Sequence, residues 1–132
     1  MTVAVLYAAS DAGRSALAAA AAECTTHNAA LLVLVSRGEA GEAARPAVLA
    51  SVEEEVNDVV PTAVSRTIEL IGPDTAADTV DSLLARVEEV APRVLVIGNR
   101  RRSAVGKLLM GRDIQRLLLE VPVPILLVKP QA

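Results

Sequence analysis

Residues 98 to 112, Gly-Asn-Arg-Arg-Arg-Ser-Ala-Val-Gly-Lys-Leu-Leu-Met-Gly-Arg, hold the residue types best suited to chemistry in this chain. Gly98 leaves the apolar run Val94-Leu95-Val96-Ile97, which predicts a buried strand. Gly111 and Arg112 lead into Asp113 to Leu119, which predicts a helix. A glycine leaving a strand and another entering a helix are the parts of an anion site, because backbone N–H groups and the positive end of the helix dipole converge there. The stretch carries five basic residues and no acidic one, in a chain of net charge −3. Arginine suits phosphate especially well, being bidentate and always charged.

The other reactive side chains are isolated. One cysteine (Cys24) and one histidine (His27) cannot make a zinc site of ordinary composition or a disulfide framework. Cys24 reads as a small core residue. His27 reads as a cation at the carboxyl end of a helix, where the dipole favours it. Glu53, Glu54 and Glu55 are consecutive on a predicted helix and point in different directions, so they form a solvated face and not a carboxylate pair. No general base or metal-binding carboxylate is placed beside the 98–112 loop. The chain is therefore read as non-enzymatic, with slow ATP hydrolysis as the alternative.

Composition narrows the class further. Length predicts one domain over residues 1–132. The chain is 52% hydrophobic but has one Tyr and no Phe or Trp, so Ala, Val, Leu and Ile must build the core. That excludes aromatic platforms for single-stranded nucleic acid, and the acidic balance argues against general DNA binding. The apolar runs are far shorter than a membrane span. The Ala-rich stretch near the start has no basic region before it and suits a helix, not a signal peptide. These features predict a soluble cytoplasmic protein that contacts neither nucleic acid nor membrane.

The loop needs a scaffold, and the pattern supplies one. Thr2 to Ala8 and Ala29 to Val35 predict continuous apolar strands, separated by a helix that Ser10 or Asp11 caps and that runs to about His27. Pro46 opens a second helix reaching about Asp58. Thr62 to Ile71 alternates apolar and polar residues, which predicts an edge strand with one face wet or partly so. Gly72 to Thr75 predicts a turn capped by Asp74 or Thr75, before a third helix that ends near Ala91. Arg93 to Ile97 and part of Pro122 to Lys129 predict the last strands. Strands alternating with helices, most of them apolar on both faces, predict a doubly wound, Rossmann-like α/β domain with a five-stranded parallel sheet. Ligands bind such sheets beyond the carboxyl ends of strands, where the winding reverses. Pro122 and Pro124 place the fifth strand at an edge, yet Val123, Ile125, Leu126, Leu127 and Val128 are apolar. An apolar edge invites pairing with another chain, most simply a second copy; cover by the C-terminal tail or a helix is the alternative.

The run VLVIGNRRRSAVGKLLMGRDIQRLLLEVPVPILLV resembles the C-terminal signature of the universal stress protein family. DTAADTVDSLLARVEEVAPR is similar to that family's third helix, and VAVLYAASDAGRSALAAA to its first strand and helix. The resemblance implies strand order 3-2-1-4-5, a homodimer often formed through the last strand, and a dimeric stress-response or regulatory role, with an unidentified protein partner conceivable. It also implies a nucleotide pocket. The family's ATP-binding branch carries Gly-x2-Gly-x9-Gly-Ser/Thr and an aspartate at the end of the first strand. Laid onto this chain, the pocket positions are Ala8, Gly98, Arg101, the neighbouring Arg102, Gly111 and Arg112. Gly98 and Gly111 are retained. Arg101 stands where the second glycine would, Arg112 where Ser/Thr would, and Ala8 where the aspartate would.

The changes have stated costs. A positive φ at Arg101 costs about 1–2 kcal/mol relative to glycine. Arg112 puts a cation at a helix N-terminus, disfavoured by about 0.3–1 kcal/mol unless an anion is bound. Ala8 removes an acceptor, worth about 1–3 kcal/mol if a polar group is stranded. Gly106-Lys107 is not a Walker A loop, since Arg101 and Leu108 stand where Gly and Ser/Thr are needed. Three outcomes stay open: no small ligand, ATP or AMP, or another phosphate-bearing anion that Arg101 and Arg112 select. The leading expectation is a dimeric protein that does not depend on ATP; the alternative is a nucleotide or anion sensor built on the 98–112 loop.

Overall fold

The computed structural model describes residues 1–8, 10–36, 45–71, 76–98 and 112–129. Strands β1 (Thr2–Tyr7), β2 (Ala30–Ser36), β3 (Arg66–Ile71), β4 (Val94–Gly98) and β5 (Ile125–Val128) alternate with helices α1 (Asp11–His27), α2 (Arg45–Val59), α3 (Ala76–Val90) and α4 (Arg112–Glu120). All strand pairs are parallel, in the order β3-β2-β1-β4-β5. The predicted class, strand order and edge placement of β3 and β5 are thus what the chain adopts.

Side-chain alternation sorts the core into two layers. Val3, Val5 and Tyr7 of β1 join Leu31, Val33 and Val35 of β2 and Val94 and Val96 of β4 on the face covered by α1 and α2. Ala4, Leu32, Leu34, Leu95 and Ile97 point to the other face, with Val80, Leu83 and Val87 of α3 and Leu117 of α4. The uninterrupted apolar runs are explained by this double cover. Helix α1 buries Ala12, Gly13, Ala16, Leu17, Ala20, Ala21 and Cys24, so a stripe of mostly small residues lets it lie close on the sheet. Ser10 is its cap: its hydroxyl accepts the Gly13 N–H at 3.0 Å. Asn28 ends it in the left-handed conformation.

Two boundaries differ from the expectation, each for a tertiary reason. Strand β3 begins at Arg66 and not at Thr62, because the chain turns at 61–64, where the Val64 N–H donates to the Pro61 carbonyl at 3.0 Å. Arg66 holds that turn and the end of α2, donating to the carbonyls of Val60 at 3.2 Å, Val64 at 3.0 Å and Pro61. Glu69, on the face expected to be wet or partly so, is half-buried against α3, where Arg86 grips its two oxygens at 2.8 and 2.7 Å. Strand β1 stops at Tyr7, leaving Ala8 outside the ladder. The predicted cap at Asp74 or Thr75 lies outside the described residues.

Helix α3 ends at a strained residue. The Ala91 N–H donates to the Val87 carbonyl at 2.8 Å, with φ at 49°, in the left-handed region that costs a Cβ-bearing residue energy. Ala91→Gly should therefore stabilise the protein by about 0.5–1 kcal/mol, the relief being partly offset by a looser unfolded chain. A higher midpoint of urea unfolding is the expected result.

Candidate functional site at the carboxyl edge of the sheet

The winding reverses at β1: the chain passes from β1 outward to β2 and β3, then returns to β4 on the other side. Leu6 pairs with Ile97, so β1 and β4 run out side by side, bringing Tyr7, Ala8 and Gly98 to one edge. Of the pocket positions read from the sequence, Ala8 and Gly98 are described in full, and Arg112 is the first residue of α4. Arg101, Arg102 and Gly111 lie outside the described residues.

Gly98 is required here for packing. A Cβ built on it would sit 2.3 Å from the Ala12 carbonyl oxygen and 3.2 Å from the Ala12 Cβ, so the first turn of α1 presses directly on the end of β4. Gly13, which the sequence did not single out, makes the matching contact on β1: a Cβ there would lie 1.8 Å from the Ala8 carbonyl oxygen. Two glycines thus let the start of α1 settle between the ends of the two central strands. This packing reason for a glycine at 98 holds with or without a ligand.

The electrostatics of this edge differ from an open anion cradle. The N-terminus of α1 is answered within the chain, by the Ser10 hydroxyl on the Gly13 N–H and by Asp11 in the first turn. Ala8 is exposed and brings no carboxylate. Arg14, one turn into α1, is committed to Glu55 of α2 through both guanidinium and carboxylate ends, with Nη2 to Oε2 at 2.7 Å. That hydrogen bond holds the Glu55 carboxyl below the usual range, with partial burial opposing it. The glutamate run is therefore not wholly solvated: Glu53 and Glu54 are exposed, while Glu55 clamps α2 to α1. Tyr7 lies beneath, 5% exposed, its phenol pushed up by burial and then by the Glu55 charge, with Arg14 pulling it back.

The lone cysteine and histidine sit away from this edge, towards the amino ends of the strands. Cys24 is buried in the α1 layer, where desolvation raises its thiol and keeps it inert. His27 Nε2 is 3.2 Å from an Arg93 nitrogen and 3.9 Å from Glu23. Among the described residues, no cluster of three His, Cys, Asp or Glu side chains could hold a metal, and no helix is long and apolar enough to cross a membrane.

No protein-family model matches the chain. It is 35% identical to a universal stress protein of Mycolicibacterium smegmatis strain ATCC 700084, over 97% of both chains. Among solved structures it is similar to a universal stress protein in complex with cAMP, with TM-score 0.70 and 22% identity over 99% of this chain and 98% of that one. It is also similar to the universal stress protein of Archaeoglobus fulgidus in complex with dAMP, with TM-score 0.73 and 16% identity over 98% of both chains. The structures share the fold, and the curated relative shares the sequence along nearly its whole length: the chain belongs to the universal stress protein family.

Proposed function

We propose that this universal stress protein acts in a stress response as a homodimer joined through β5, and that its activity does not depend on ATP. The observation that supports this best is the edge of β1. Where an ATP-binding relative would present a carboxylate, the chain has the exposed Ala8, whose carbonyl lies against Gly13. Arg112 opens α4 with a cation where a small hydroxyl would favour a triphosphate. Arg101 adds a bulky side chain in the intervening sequence. Reversing the letters tests the reading: Arg101→Gly with Arg112→Ser should raise ATP affinity at least tenfold. Equal affinity in the double variant and the parent would refute the claim that these two residues block the triphosphate.

A second reading has its own support. The structural relatives described above were solved with cAMP and dAMP, which are monophosphates. A monophosphate makes fewer demands on the 98–112 loop than ATP, and the basic residues there suit one phosphate or a similar small anion. On this reading the protein is an adenine-nucleotide or anion sensor that has given up ATP.

A further inference from the structure

We propose that His27 and Arg93 form an acid-responsive latch between the end of α1 and the entry to β4, in which the His27 ring exchanges Arg93 for Glu23 when it takes up a proton. The cluster lies at the amino ends of the strands, on the side of the sheet away from Ala8 and Gly98. His27 Nε2 stands 3.2 Å from an Arg93 Nη and 3.9 Å from a Glu23 carboxylate oxygen, so one ring nitrogen is within reach of a cation and an anion. A guanidinium has N–H donors, no acceptor, and stays charged. Arg93 can therefore only donate, so Nε2 accepts and the single proton of the neutral ring sits on Nδ1. A second proton would occupy the lone pair that Arg93 uses. Two cations would then face each other. The new Nε2–H can instead donate to Glu23, one turn back on α1, where the carboxyl end of the helix dipole also favours the charged ring.

The surroundings leave this exchange to the three named groups. The strands that pack against α1, namely β1, β2, β4 and β5, carry no charged side chain. The acids of α2 that reach α1, Glu55 and Asp58, meet Arg14, about 20 Å back along the helix. Cys24 is buried beneath, its thiol pushed up by burial and then by the Glu23 charge, so it stays neutral. Arg93 itself follows the left-handed Ala91 in the connection from α3 to β4, and its own N–H donates to the Thr2 carbonyl at 2.8 Å. The exchange thus loosens a side-chain tie across the start of β1 and leaves the sheet ladder intact. It acts away from the candidate ligand edge and needs no nucleotide.

Nuclear magnetic resonance of the full-length protein reads the latch directly, because His27 is the sole histidine. Long-range proton–nitrogen correlations of its ring at alkaline pH should show Nδ1 protonated and Nε2 bare. In Arg93→Ala the ratio of the Nε2–H to the Nδ1–H form should rise about fivefold, the worth of one ordinary hydrogen bond. Lowering the pH from about 8 to about 5, the range in which imidazoles take up a proton, should move the Arg93 guanidinium signals together with the ring signals of the parent. Glu23→Gln should make the ring harder to protonate and lower the midpoint of that titration. A parent ring that carries its proton on Nε2 at alkaline pH would overturn the proposal, and this readout needs no variant to fold. Arg93 signals that ignore the ring's titration, or an unchanged midpoint in Glu23→Gln, would overturn the exchange of partners.

Discussion

Gly13→Ala will destabilise this protein by about 1–3 kcal/mol, although alanine is the better helix former by about 1 kcal/mol. The added Cβ would fall 1.8 Å from the Ala8 carbonyl oxygen, with the Ala8 carbonyl carbon at 2.9 Å and its nitrogen at 3.0 Å. All three are backbone atoms, so no side chain can rotate away. Either the end of β1 or the first turn of α1 must move, and the turn carries the Ser10 cap with it. Gly98→Ala should act the same way through Ala12. A lower urea midpoint for each variant is the expected result. An unchanged or higher midpoint would mean that α1 is not seated between the ends of β1 and β4.

For the proposed β5 dimer, Leu126→Asp will give a monomer, halving the mass in light scattering while leaving the far-ultraviolet circular dichroism intact. Among the described residues, strand β5 closes the sheet on one side and pairs only with β4. Ile125 and Leu127 turn toward the α3 and α4 layer, whereas Leu126 is 38% exposed. An exposed apolar residue on an edge strand suits pairing about a two-fold axis, where the same strand of a second copy supplies the partner. Leu126 is the better position for the charge than Leu127, which packs into the core and would unsettle the fold as well. A parent protein of monomeric mass, or a variant that stays dimeric, would contradict the proposed interface.

The fold was legible in the chain because its strands are covered on both faces. Runs such as Val94 to Ile97 have no periodic polar residue to confuse them, and Ser10 and Pro46 punctuate the helices. The errors arose where distant residues change what a local pattern means. Val64 alternates correctly for a strand, yet it sits in a turn that Arg66 holds by its carbonyls. Glu69 falls on the face expected to be wet or partly so, but its partner, Arg86 on α3, is beyond the reach of a local pattern. Glu55 looked like its two neighbours, until α1 brought Arg14 against it.

The site was legible in a different way. Its place at the ends of β1 and β4 follows from alternating strands and helices: Gly98 ends β4 at that edge, and Ala8 follows the last residue of β1. The meaning of its letters came from family resemblance, which gives Arg101, Arg102, Gly111 and Arg112 a role that spacing alone does not. Gly13 was missed because a glycine in a helix carries no local signal of close approach; only the position of Ala8 against it reveals the need.

Calorimetric titration of the full-length protein with ATP, with and without magnesium, tests independence from ATP most directly. With Ala8, Arg101 and Arg112 at the nucleotide positions, the expected result is no micromolar binding in either condition. Stoichiometric, micromolar ATP binding would contradict it.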